Sequence, residues 1–182
     1  MRRDQLEHVI RASAGVTDQR NVVVIGSQAL LGSHAAPPPE IMTSLEADVF
    51  PRDRPELADN IDGAIGDGSI FQDTFGYYAH GVGPETAVAP RGWMERLVPL
   101  ANENTGGATG WCMEPHDLVV AKLAAGRDKD IAFARVLIEQ GLVDGELLHQ
   151  RVEQLAAAPE IVSAVRAHVV ALTGGRDAGS AE

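Results

Sequence analysis

A dense β-branched run, Asn21-Val22-Val23-Val24-Ile25, ends at Gly26-Ser27, and this junction limits the possible folds more than any other stretch. Such a run reads as a buried strand. Gln28-Ala29-Leu30-Leu31 follows with helical propensity, so Gly26-Ser27 sits on a strand-to-helix turn. Pro37-Pro38-Pro39 makes a rigid loop. Residues 44–50 predict a second strand, closed by Pro51 and containing Leu45-Glu46-Ala47-Asp48-Val49. Strand alternation places Glu46 and Asp48 on the same face.

Adjacent carboxylates raise each other's pKa unless a cation sits between them. Hard oxygen donors at this spacing suit Mg²⁺, with Mn²⁺ as the alternative, the rest of the coordination shell coming from water and substrate phosphates. Gly26-Ser27 at the start of a helix offers backbone N–H groups to a phosphate, and Gly26 has no Cβ to obstruct it. The plainer alternative is a solvated acidic face on an edge strand, with Gly26 as an ordinary turn.

The surrounding pattern is mixed. Residues 4–14 predict an amphipathic helix ended by Gly15, and residues 55–65 a helix ended by Gly66 and Gly68. The Gly- and aromatic-rich stretch 69–88 reads as strands and loops. Strands are expected over 96–101 and 109–113, with turn-prone residues 102–107 between them. From Pro115 the pattern is helical, with helices expected over 116–125, 129–140, 145–157 and 160–172. The expected fold class is therefore α/β (α+β), a mixed sheet flanked by helices and followed by a C-terminal helical bundle. The expected divisions are 1–114, a helical subdomain over 115–173, and a disordered tail over 174–182.

A second constellation opens the helical part: Pro115-His116-Asp117-Leu118-Val119-Val120-Ala121-Lys122-Leu123-Ala124-Ala125-Gly126-Arg127-Asp128-Lys129-Asp130. Lys122 follows Leu118 by four and Val119 by three, so it lies on or beside the apolar face of its helix. A lysine there either snorkels to solvent or points into a cleft. Residues 127–130 read plainly as a solvated helix junction with Asp128 near the N-cap.

Taken in order, Gly26-Ser27, a short helix and the Glu46-x-Asp48 strand resemble the nucleotidyltransferase superfamily with the polymerase-β-like fold. Here the stretch from Ser27 to Glu46 is longer than in minimal members, and the first acid is Glu rather than the commoner Asp. The 115–130 segment resembles the abortive-infection (AbiEii-type) toxin nucleotidyltransferases, and the likeness spans residues 22–144. It implies a metal held by Glu46 and Asp48, nucleotide contacts from Gly26, Ser27, Arg127 and Lys129, and catalytic roles for Lys122 and Asp130. Lys122 would contact phosphates, and Asp130 would be the third acid, with Asp73 and Glu85 as alternatives. The implied reaction moves a nucleotide from an NTP to a tRNA-like RNA or a protein, as the toxin of a toxin–antitoxin pair. In such toxins a hydroxyl at the place of Ser44 is phosphorylated by the antitoxin, which would add charge beside the metal carboxylates. The competing expectations are a nucleotidyltransferase fold that binds a nucleotide or partner without catalysis, and an interaction subunit whose helices bind a partner.

Charge and composition narrow the partners. A net charge of −11 argues against a broad phosphate-binding face, so no DNA partner is expected and any basic patch must be local. No apolar run approaches the roughly 20 residues of a membrane span, and residues 1–7 lack a signal-peptide core. Cys112 is the only cysteine, which suits a reducing compartment. A cytoplasmic protein with no membrane partner is expected. Phe71, Phe75, Tyr77 and Tyr78 read as core and loop packing, with base stacking as the alternative. His8, His34, His80, His116, His149 and His168 show no zinc-like spacing.

Overall fold

The computed structural model describes residues 1–174. The expected tail over 174–182 lies, from residue 175 on, outside them. The chain separates into two units: residues 1–87 with 94–114, and residues 88–93 with the chain from Pro115.

The first unit begins with α1 (Arg3–Thr17), which buries Leu6, Val9, Ile10, Ser13 and Thr17 at helical spacing. Gly15 lies inside α1 rather than ending it; the stop is Asp18, left-handed at φ 52°, whose N–H donates to the Ala14 carbonyl. β1 (Asn21–Ile25) leads into a 3₁₀ turn (Ser27–Ala29) and α2 (Leu30–Ser33). Then come β2 (Glu46–Pro51), α3 (Ala58–Ile65), α4 (Ile70–Phe75), β3 (Tyr78–Gly81), β4 (Val98–Leu100) and β5 (Thr109–Cys112). The unexpected element is α4, in the stretch read as strands and loops. None of its six residues is fully buried, and Phe71 and Phe75, four apart, are too short a run to mark a helix in the sequence. Ser69 caps it by accepting from the Gln72 N–H, and Gly76 closes it in the left-handed region.

The five strands form one mixed sheet in the order β3-β2-β1-β5-β4. β1 pairs antiparallel with β2 and parallel with β5; β2 pairs parallel with β3, and β4 antiparallel with β5. The register assigns the faces. Val24 lies opposite Val49 and Cys112, and Ala47 opposite Ala79, so these side chains share one face. Helices cover that face. A Cβ on Gly110 would meet Ile10 of α1, and one on Gly81 would come within 2.0 Å of the Ala58 carbonyl oxygen of α3. The other face carries Ile25, Glu46, Asp48, Tyr78 and His80.

Buried Glu7 clamps α1 to the loop after β4. Its Oε1 accepts from Asn102 Nδ2 and its Oε2 from Asn104 Nδ2, each at 2.7 Å, and Arg3 Nε lies 3.3 Å from Oε1. Burial pushes its carboxyl upward, but the Asn104, Asn102 and Arg3 donors together hold it below the ordinary value. Its stabilisation is therefore present above the ordinary carboxylate pKa and lost as pH falls through the lowered one. Glu7→Ala removes the acceptor shared by two amides and a guanidinium and unfastens α1 from the loop after β4. It should cost about 2–3 kcal/mol in urea unfolding at neutral pH, with a smaller deficit in acid. An equal deficit at both pH values would show that the charge is not what matters.

Phe71 and Phe75 of α4 and neighbouring Tyr77 surround His8 of α1, with ring centroids 5.0, 4.6 and 6.0 Å from the imidazole. Tyr77 Oη and His8 Nδ1 are 2.8 Å apart. These rings pack against one another, as the packing expectation required.

The second unit contains α5 (Pro115–Ala125), α6 (Asp128–Glu139), α7 (Gly145–Glu153) and α8 (Pro159–Thr173). α5 is central, burying Leu118, Val119, Val120 and Leu123 against the other three helices. Asp117 is fully buried and pairs with Arg151 Nε of α7 at 3.3 Å. Asp144 caps α7, while its own N–H donates to His116 Nε2 at 2.8 Å. The 88–93 segment joins this unit through the Arg91 N–H, which donates to the Gln154 carbonyl. No helix among the described residues is long and apolar enough to cross a membrane.

Candidate active site

Glu46 and Asp48 project from the face of β2 opposite the one packed by α1 and α3, as strand alternation required, and both stay partly exposed while Phe50, Val23 and Ile25 on the same face are buried. Parallel pairing with β3 sets Tyr78 opposite Glu46 and His80 opposite Asp48. The Tyr78 hydroxyl donates to Glu46 Oε2 at 2.8 Å. That bond raises the phenol to about 12, because losing the proton would set two anions together. His80 Nδ1 lies 3.1 Å from Asp48 Oδ1 and 3.7 Å from Glu46 Oε1. One ligand atom from each of Glu46, Asp48 and His80 fits within a 4.8 Å cluster.

Burial raises the Asp48 carboxyl above its ordinary value, and neighbouring Glu46 raises it further; His80 acts the other way. A cation placed beside the pair would favour the ionised form.

Gly26 is fitted to Asp48. Ile25 lies opposite Asp48 in the antiparallel β1/β2 pair, so the turn runs beside the carboxylate. The Gly26 backbone, at φ 67° and ψ −171°, occupies a region populated by little except glycine. A Cβ there would lie 2.4 Å from Asp48 Oδ2. Gly26→Ala should therefore cost about 2 kcal/mol or more in backbone strain and displace the Asp48 carboxylate. Thermal unfolding should show the first effect and weakened divalent-cation binding the second. A variant that melts and binds like the parent would show that the turn relaxes freely.

The helix expected after Ser27 is only the 3₁₀ turn followed by the four-residue α2. Its dipole is small, so anion attraction there would rest on backbone N–H groups. Buried Gln28 fixes the turn by donating from Nε2 to the Ser44 carbonyl at 3.0 Å. The Met1 ammonium donates to the same carbonyl at 2.9 Å. The Ser44 hydroxyl accepts from the Glu46 N–H at 3.1 Å and lies 3.3 Å from the Glu46 carbonyl oxygen, so it caps the entry to β2.

Asp73 and Glu85, the alternative third acids, are exposed and do not belong to the Glu46–Asp48–His80 group. His80 carried no signal in the sequence, since histidine spacing reports only local ligand pairs. Its partner strand lies 32 residues away and is set by sheet register.

The 122–130 residues form a group within the second unit. Asp130 is buried, 1% exposed, and binds Lys122 Nζ through Oδ1 at 3.1 Å and Arg127 Nε through Oδ2 at 2.5 Å. Burial pushes Asp130 upward, but the Arg127 and Lys122 cations together hold it below the ordinary value. Lys122 also stands 5.6 Å from the centroid of the Phe133 ring. Lys122 therefore neither snorkels nor stands alone; it ties α5 to α6 through Asp130. Arg127 is the N-cap residue of α6 and Asp128 its first residue, while Lys129 is exposed.

A family model described as "Nucleotidyltransferase of unknown function (DUF6036)" matches residues 4–171. No curated protein and no solved structure matches the chain.

Proposed function

Because this chain belongs to that family of nucleotidyltransferases (DUF6036), we propose that it transfers a nucleotide from an NTP, with Glu46 and Asp48 holding a divalent cation. The observation carrying this reading is the Gly26 turn fitted against a partly exposed carboxylate pair on the sheet face opposite α1 and α3. The donor chemistry fits a metal: two carboxylates converge beside an imidazole, and His80 and the neutral Tyr78 hydroxyl offset their mutual repulsion only in part. A bound cation would supply charge neutralisation at the triphosphate. The chain's own groups do the rest. The backbone of Gly26 and Ser27 receives phosphate oxygens where no Cβ stands in the way. Tyr78 orients Glu46 through its hydroxyl.

For the second unit, the resemblance of the 115–130 segment supports phosphate contacts from Lys122, Arg127 and Lys129. Asp130 positions the first two through its ion pairs. The same resemblance supports a tRNA-like RNA or a protein as acceptor, a toxin role with a cognate antitoxin, and Ser44 as a regulatory phosphorylation site. Phosphorylating Ser44 would remove its cap on Glu46 and place a dianion beside the acids.

The test incubates the protein with each α-labelled NTP, with Mg²⁺ or Mn²⁺, and with total RNA or with the protein alone as acceptor. Label transferred to an acceptor, and lost in Asp48→Ala, is the expected result. The second reading, a fold that binds a nucleotide without transferring it, is favoured by the absence of a third carboxylate from the Glu46–Asp48–His80 group. Saturable NTP binding without labelled product under any condition would select it.

A further inference from the structure

We propose that His80 is a direct metal ligand and that it tunes the site toward Mn²⁺ over Mg²⁺. This rests on reading Glu46 and Asp48 as ligands and adds what that reading does not contain, a nitrogen donor and its consequence for which cation binds.

The geometry is set by the sheet rather than by a flexible loop. β2 and β3 run parallel with Asp48 opposite His80, so both side chains leave the same face at neighbouring positions. The imidazole presents Nδ1 to both carboxylates, 3.1 Å from Asp48 Oδ1 and 3.7 Å from Glu46 Oε1. A simple ion pair would need only one of these contacts; three donors within 4.8 Å of one another enclose a common point. Two surrounding features keep the donors in place. Tyr78 occupies Glu46 Oε2, leaving Oε1 as the oxygen turned toward His80. Gly26 leaves open the space that a Cβ would take from Asp48 Oδ2.

The donor set bears on the metal. Mg²⁺ is served best by an all-oxygen octahedron and binds imidazole poorly. First-row divalent ions accept imidazole readily, and among them Mn²⁺ also suits carboxylates, water and phosphate oxygens. An imidazole in place of a third carboxylate also leaves the site one negative charge poorer. That costs the harder ion more, since its binding is mostly electrostatic.

The test uses the full chain with Mn²⁺ and Mg²⁺ as probes. Mn²⁺ should bind roughly tenfold or more tightly than Mg²⁺ by competition followed in Mn²⁺ electron paramagnetic resonance. Pulsed measurements should detect ¹⁴N coupling from a directly bound imidazole. His80→Ala should abolish that coupling and weaken Mn²⁺ by about tenfold or more, while His80→Asp should recover cation binding with the preference moved toward Mg²⁺. Thermal melts of both variants check that they fold, and His80 is exposed enough, at 48%, for the fold to tolerate them. Mn²⁺ binding that needs Asp48 but shows no ¹⁴N coupling and ignores His80→Ala overturns the inference and leaves the proposed function standing. Absence of any cation binding, even with NTP present, overturns the acid-pair reading itself and the inference with it.

Discussion

Asp48→Asn should abolish nucleotide transfer and, at the same time, raise the melting temperature of the metal-free protein. The two effects have one cause. Burial and the adjacent Glu46 hold the Asp48 carboxyl above its ordinary pKa, so its charged form is disfavoured in the folded state. The sign follows: a carboxyl whose folded pKa is raised loses stability as pH climbs through the unfolded value toward the raised one, and the deficit persists above it. An amide of nearly the same shape removes the repulsion and can still face His80. The gain should be on the order of 1 kcal/mol near neutral pH and should vanish in acid. On the proposed role of Asp48 as a metal ligand, transfer should fall by at least about 100-fold, because losing that ligand would remove several kcal/mol of charge stabilisation and each 1.4 kcal/mol is a factor of ten. Calorimetry with and without Mn²⁺, alongside the labelling assay, reads both effects. A variant that melts lower than the parent in the absence of metal would show that His80 already compensates the pair. A variant that keeps full activity would remove Asp48 from the site.

Asp130→Ala should behave in the opposite way, with a loss of about 3–5 kcal/mol that is present whether or not a nucleotide is bound. Asp130 is almost wholly buried, and removing it leaves Lys122, only 14% exposed, with its charge uncompensated. Lys122→Met alone should cost less, since Arg127 still pairs with Asp130. Combining Lys122→Met with Asp130→Leu should recover much of the stability, because a buried ion pair replaced by apolar groups of similar size is often neutral. Denaturant unfolding of Lys122→Met, of Asp130→Leu and of the double variant gives the coupling. If Asp130→Asn melts like the parent yet loses transfer, the residue acts in the chemistry; a matching loss of both places it in the framework. The lowered Asp130 pKa adds a pH signature: its contribution is present above the ordinary carboxylate value and fades as pH falls through the lowered one.

Much of the local structure was legible. β1 and the helices of the second unit followed from β-branched density and helical spacing, with boundaries moved by one to a few residues. α4 was not legible, because one i,i+4 pair, Phe71 and Phe75, in a six-residue helix with no fully buried residue is too little to read as a period. Gly15 was misread as a stop because glycine ends helices most often by adopting the left-handed conformation, and here Asp18 adopts it instead.

The chain's own order of residues determined that Glu46 and Asp48 share a face and that a glycine turn precedes them, since alternation and turn chemistry act over neighbouring residues. It also placed Lys122 beside an apolar helix face. Only the tertiary structure decided what stands opposite each of these. The pairing of β2 with β3 brought Tyr78 and His80 to the acids, and the pairing of β1 with β2 pressed Gly26 against Asp48. The fold of α6 onto α5 gave Lys122 its partner in Asp130. Register between strands and packing between helices depend on burying several distant segments together. A one-residue slip between strands would turn the side chains of the slipped strand to the other face, and no local pattern records which register wins.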